Sequence, residues 1–324
     1  MGWDWVNKYY GPQNPLSIAF FYGISLFNDD GMLPAIAAAI TYGFSFAILY
    51  KASKKTGSTF NELTIAYWFF MLNMNFLYVT TVIRFYVAFS IMAYFLYMDI
   101  IEKKRRPLCF AIYITLCFFH YAMLVFVLLR FVFIFSRKMK GTLAALGTVF
   151  VPLVLMIGYT FIENFGGSIV LFQNASNKLQ GYEEYEVFGI WQFLASMVRE
   201  VVFVFICILA VWVCKKLREK ENRNALKSGE LKLRMQQIGA FNDFTVFCLY
   251  LTVTVFTFIT NFQFVLRTPY FVQTMISVVL LLVMAEMKNL DIKINAAVKT
   301  VIITESILHQ VYLMVYVYGA LEFA

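Results

Sequence analysis

The chain has 324 residues, 61% of them hydrophobic and only 14% charged, where a soluble domain carries about 25% charged residues. Its formal net charge of +8 does not mark a nucleic-acid binder. The basic residues stand in short clusters between long apolar runs, which also exclude an ordinary water-soluble domain.

The first residues, MGWDWVNKYYGPQNP, lack a basic stretch followed by an apolar one, so no cleavable signal peptide is expected. Asn14–Phe27 is too short to span a bilayer and is expected to form an amphipathic or re-entrant helix begun by Pro15. Spans are expected at 31–50, 60–79, 141–163, 188–214, 244–262 and 300–318, since about 20 apolar residues cross a hydrocarbon core. Five clusters collect 21 of the 27 Lys and Arg: Lys51–Lys55, Lys103–Arg106, Arg137–Lys140, Lys215–Arg234 and Lys288–Lys299. The positive-inside rule assigns all five to the cytoplasm.

This topology leaves residues 1–30 as an outer-face N-terminal segment and 164–187 as an outer loop bearing Glu183, Glu184 and Glu186. Residues 215–234 become a cytoplasmic linker, read as a solvated helix extension. Two spans fit between Lys55 and Lys103, with a turn near Asn75–Thr81. Between Arg106 and Arg137 the chain is too short for two full crossings, so 107–136 is expected to be a recessed helical hairpin with His120 near its tip. The fold class is thus all-α: one polytopic transmembrane helical bundle over 1–324, with about 8–10 membrane segments.

The chemistry is sought in the charges left at membrane depth, which usually face a cavity or a partner. Arg84 and Arg267 each open an inward-running helix on the outer side. There, arginine and a helix N-terminus together favour a phosphate. Arg199 adjoins Glu200 in the 188–214 span; neighbours on a helix diverge by about 100°, so each needs its own partner or a cavity. Arg130 is expected to snorkel toward the cytoplasm. His120 is read as a base or phosphate ligand, and His309, in the last span, as structural. The five cysteines lie in apolar runs without a CxxC pair and are read as buried apolar residues. No HxxxH, HExxH or DxD motif is present on an outer loop, and Asp29-Asp30 has no third ligand in sight. Neither metal nor other cofactor is expected. Asn174-Ala175-Ser176 fits a glycosylation sequon.

The stretch 83–135, IRFYVAFSIMAYFLYMDIIEKKRRPLCFAIYITLCFFHYAMLVFVLLRFVFIF, resembles the EpsG-like family of Wzy-type bacterial polysaccharide polymerases. Arg84 matches the family's helix-opening arginine, and Phe119-His120 matches the Phe-His that closes its short helix. Asp4, Tyr9 and Asn14-Pro15-Leu16 look like its outer segment, and Arg267 with Tyr270-Phe271 resembles its second arginine motif. Phe85 stands where the family commonly has Gln, and the chain begins with the outer segment, without the span that usually precedes it.

The resemblance implies a GT-C-like bundle in the bacterial inner membrane acting as a metal-independent glycosyltransferase. It would join undecaprenyl-pyrophosphate-linked oligosaccharide repeat units into O-antigen, capsule or exopolysaccharide at the outer face. Flippase and chain-length regulator proteins would be its partners, beside the bilayer and the lipid-linked substrate. Arg84, Arg267 and His120 are the expected catalytic residues. Arg199, Glu200, Asp4, Tyr9 and Tyr270 are the expected substrate contacts. A transporter or flippase for lipid-linked sugars, an O-antigen ligase and an acyltransferase are the alternatives.

Overall fold

A computed structural model describes residues 14–120, 122–138, 190–223, 228–257, 262–290 and 295–314. The described residues are helical and contain no strand. Asp4 and Tyr9, the 141–163 span, the 164–187 loop and the end of the last expected span lie outside them, as do the side chains of Arg267 and Tyr270.

Helix α1 (Pro15–Ser25) begins where expected. Proline has no N–H to lose at a helix start, and Ser17 Oγ donates to the Asn14 carbonyl at 2.9 Å. Helix α2 (Met32–Thr56, 25 residues) is about 37 Å long. It ends at Gly57, whose left-handed φ of 65° lets its N–H reach the Ser53 carbonyl, the turn that glycine adopts without a Cβ penalty. Helix α3 (Phe60–Asn73) is opened by a capping box: Thr59 Oγ1 accepts from the Glu62 N–H, and Glu62 accepts from the Thr59 N–H at 2.8 Å. The expected span 60–79 is interrupted. Asn73 turns its amide back to the Phe69 carbonyl, Met74 is extended, and a short α4 (Phe76–Thr81) follows. Asparagine side chains compete with the helical backbone in this way.

Helix α5 (Ile83–Tyr97) continues through a π-helical turn, Met98–Glu102. The next pair, α6 (Arg106–Phe119) and α7 (Met123–Lys138), occupies the hairpin stretch. Its legs measure about 21 and 24 Å. Helices α8 (Ile190–Arg223), α9 (Ser228–Thr257), α10 (Phe262–Asn289) and α11 (Asn295–Tyr312) complete the described chain. Of the charged stretch 215–234, residues 215–223 therefore extend α8 and 228–234 start α9. Among the described residues, three helical stretches are long and apolar enough to cross a membrane: Met32–Thr56, Ile83–Glu102 and Met197–Arg223. Many large apolar side chains point outward, among them Trp68, Phe135, Ile208 and Leu308.

Helix α10 is the central pillar. Every residue from Val272 to Met287 is buried, the pattern of a helix enclosed on all sides. It packs against α2, α3, α5, α8, α9 and α11. Small residues permit close approach elsewhere: Ala37 and Ala52 of α2, Ala66 of α3, and Ala88 and Ala93 of α5 are fully buried.

The basic clusters converge on one end of this bundle. Lys55 Nζ donates to the Ile101 carbonyl at 2.9 Å, and Lys51 pairs with Glu102 at 3.7 Å, so the C-terminal ends of α2 and α5 lie together. Arg137 pairs with Asp243, tying α7 to α9. Arg234 of α9 reaches Glu286 of α10 at 2.6 Å and Glu221 of α8 at 3.6 Å.

Arg130 does not snorkel. It is 5% exposed and donates to Asp99 Oδ2 through Nε and Nη2, both at 2.7 Å. The fully buried Asp99 of the π-helical turn supplies the counter-charge that an arginine at this depth requires.

Candidate functional site

Away from the basic end, polar side chains of α3, α8, α10 and α11 meet in the interior. Asn73 and Gln273 are fully buried, Ser306 is 1% exposed, Arg199 2% and His309 6%. Asn73 Nδ2 lies 3.2 Å from Glu305 Oε2 and 3.0 Å from Ser306 Oγ, besides its contact with Phe69. Gln273 Nε2 donates to the Phe69 carbonyl at 3.0 Å, and Gln310 donates to the Leu72 carbonyl. These bonds lock the end of α3 between α10 and α11.

Arg199 faces α11. Its Nη1 lies 3.2 Å from His309 Nε2. A guanidinium has donors only, so Nε2 accepts and the ring proton belongs on Nδ1. Glu305 and His309 are four residues apart, hence on one face of α11. With Arg199 they line a cavity of about 430 Å³, whose other walls include Val202, Leu308 and Tyr312. Cavities of about 300–1,000 Å³ with an apolar lining and a few convergent polar groups are typical ligand sites. Counting 1.5 Å per residue, Arg199 lies about 24 Å along α8 from Lys215. His309 lies about 15 Å along α11 from Lys299.

Glu200 points elsewhere, as neighbours on a helix must. It is fully buried, and neither carboxylate oxygen has a hydrogen-bond partner among the described residues. It shares a face of α8 with Cys207.

Two of the expected catalytic residues share a second corner. Arg84 is half-buried at the start of α5. His120 ends α6 in an extended conformation, φ −150° and ψ 117°. Its ring meets that of Phe85 edge-on, with centroids 5.0 Å apart, which brings it beside the opening of α5. The Ala122 N–H donates to His120 Nδ1 at 3.2 Å, so in the neutral ring Nε2 carries the proton. That makes His120 a donor toward an anion rather than a base at Nε2. This corner belongs to α5 and the hairpin, whereas the Arg199 cavity is walled by α8 and α11. Arg84 and Arg199 thus stand in two separate places.

From the sequence His309 is read as structural, and Glu305 and Asn73 are not singled out. A signal for the first two was present: Glu and His one turn apart in the apolar run VIITESILHQVYL mark one polar face. All five cysteines are free, and Cys117 alone is more than marginally exposed. Among the described residues no group of three His, Cys, Asp or Glu is placed to hold a metal ion.

Comparison with known protein families, with curated proteins and with solved structures finds no match to this chain.

Proposed function

We propose that the chain is a multi-pass enzyme of the bacterial inner membrane, its basic end in the cytoplasm. It would join undecaprenyl-pyrophosphate-linked oligosaccharides by glycosyl transfer in the outer half of the bilayer. The observation that carries this reading is the meeting of Arg199, Glu305 and His309 on one groove between α8 and α11, which opens to the outer surface past Val198 and Leu308. Such a constellation is costly at membrane depth and is retained for chemistry. The motif resemblance around Arg84, His120 and Arg267 supplies the substrate class.

In this reading the donor's pyrophosphate accepts hydrogen bonds from Arg199, which stabilises the negative charge that develops as it leaves. Engaging the phosphate draws Arg199 from His309 and frees Nε2 to take a proton. A hydroxyl of the second oligosaccharide loses its proton to His309 and forms a bond to the anomeric carbon. The bond from that carbon to the pyrophosphate oxygen breaks, and the lipid pyrophosphate departs with the electron pair. Glu305 orients or balances the protonated imidazole. The Arg84–His120 corner is a second anion contact, and a GT-C-like arrangement, flippases and chain-length regulators belong to the same proposal.

Acyl transfer is the second reading, favoured by the one-turn spacing of Glu305 and His309, a carboxylate beside a candidate base. Cells lacking the gene, complemented with wild type, Arg199→Ala or Arg84→Ala, test both. A polymer ladder restored by wild type and lost with Arg199→Ala supports the polymerase. A polymer of unchanged length that lacks an acyl group in the deletion strain supports acyl transfer. Unmodified long polymer persisting without the gene, acylation intact, contradicts both.

A further inference from the structure

At the basic end a second cavity, about 210 Å³, lies between the π-helical turn, the hairpin and α9. Its walls carry four cations, Lys103, Arg106, Arg130 and Arg137, and two carboxylates, Asp99 and Asp243. Two cations are committed. Arg130 grips Asp99 through two short hydrogen bonds, and Arg137 pairs with Asp243. Lys103 and Arg106 remain, leaving a surplus of two positive charges on one cavity wall. The Arg106 side chain is 58% exposed and touches Asp99 Oδ1 through Nε at 3.4 Å, a loose contact beside the pair that Arg130 makes.

The backbone is shaped to present these two side chains together. After the π-helical turn the Lys104 N–H closes back on the Met98 carbonyl at 3.2 Å. Lys103 and Arg105 both adopt left-handed φ, 55° and 51°, which is uncommon and strained for residues with a Cβ. An extended basic run would scatter its charges into solvent. This reversal instead sets Lys103 and Arg106 on the same cavity, over a floor fixed by Asp99 and Arg130. Paired donors beside a rigid buried ion pair suit a phosphate, whose oxygens accept several charge-assisted hydrogen bonds at once. In a bilayer this end of the bundle lies at headgroup level, where anionic lipid draws basic residues.

We propose that this cavity is a phosphate-binding site in which Lys103 and Arg106 hold a phosphate group, carried by an anionic lipid headgroup or by a soluble phosphate. The site rests on the chain's residence in a bilayer and is independent of the transfer reaction.

The test uses the purified full chain in phosphatidylcholine nanodiscs, titrated with phosphatidylglycerol and read by native mass spectrometry, with inorganic phosphate as the soluble probe. The comparison is K103Q/R106Q against the charge-matched control K54Q/K288Q at the same end of the bundle. Wild type is expected to retain phosphatidylglycerol over phosphatidylcholine. The site pair should lower that affinity by about tenfold, the loss of one or two charge-assisted hydrogen bonds, and the control by no more than about twofold. Retention of inorganic phosphate but not phosphatidylglycerol, sensitive to the same pair, supports the site and identifies a soluble source. Equal loss in the control overturns it, because a diffuse positive field then accounts for binding. Retention of neither probe overturns it as well. Where the double variant does not fold, Arg106→Gln alone must still lower affinity several-fold.

Discussion

Replacing Asp99 with Asn is expected to destabilise the protein by about 3–5 kcal/mol, the cost of breaking a buried ion pair by removing one partner. Asp99 is fully buried and Arg130 nearly so. Both hydrogen bonds from the guanidinium, at 2.7 Å, end on the same carboxylate oxygen. An amide presents a donor or a weaker acceptor there, so the arginine loses the charge that balances it. The substitution also loosens the π-helical turn, which packs against α9 as well as α6. At about 2–4 °C per kcal/mol for chains of comparable size, the melting temperature in detergent should fall by roughly 6–20 °C, followed by tryptophan fluorescence. Adding Arg130→Met should recover most of that loss, since replacing both partners removes the stranded charge. The double-mutant cycle then yields a large coupling energy. High salt should leave the effect intact, because a buried pair is poorly screened. A loss below about 1 kcal/mol, the level of an exposed pair, or a double variant no better than the single, would refute the reasoning.

Thr59→Ala removes the side-chain acceptor of the capping box that opens α3 and should cost about 1 kcal/mol, measured by the same melt. Ala88→Leu forces a branched side chain into a fully buried position of α5. Overpacking of this kind costs about 1–3 kcal/mol, and a lower melting temperature with reduced yield of inserted protein is the expected result. Glu200→Gln has no hydrogen bond among the described residues to lose, so its melting temperature should not fall. Activity lost from a protein that melts normally would assign Glu200 a part in function; a large drop in stability would instead reveal a structural partner.

The parts of the fold legible in the sequence were those set by local rules. Pro15 announces α1, and the basic clusters announce the shared end of the bundle. The short interval between Arg106 and Arg137 announces a hairpin. The break after Asn73 was harder to read, because an apolar run continues through it; the helix ends where Asn73 and Gln273 both donate to the Phe69 carbonyl and Met74 turns extended. Pairings were hidden for a different reason. Arg130 finds Asp99 across 31 residues, Arg199 finds His309 across 110, and Asn73 finds Glu305 across 232. No periodicity encodes such separations. Arg199 and Glu200 could still be singled out by the cost of charge at depth, whereas histidine carries no such cost when neutral, and His309 reads as structural. The Glu305–His309 spacing was readable, and its meaning emerges only when Arg199 is seen facing it.

The most direct measurement is elongation by the purified protein. Wild type and Arg199→Ala, each shown to be folded, are incubated in liposomes with an undecaprenyl-pyrophosphate-linked repeat unit, and product length is read by mass spectrometry. Products lengthened by whole repeat units, with release of undecaprenyl pyrophosphate, are expected from wild type and not from Arg199→Ala. Lipid-linked repeats recovered at their original length from wild-type protein, or elongation that Arg199→Ala leaves undiminished, would contradict the proposed transfer reaction.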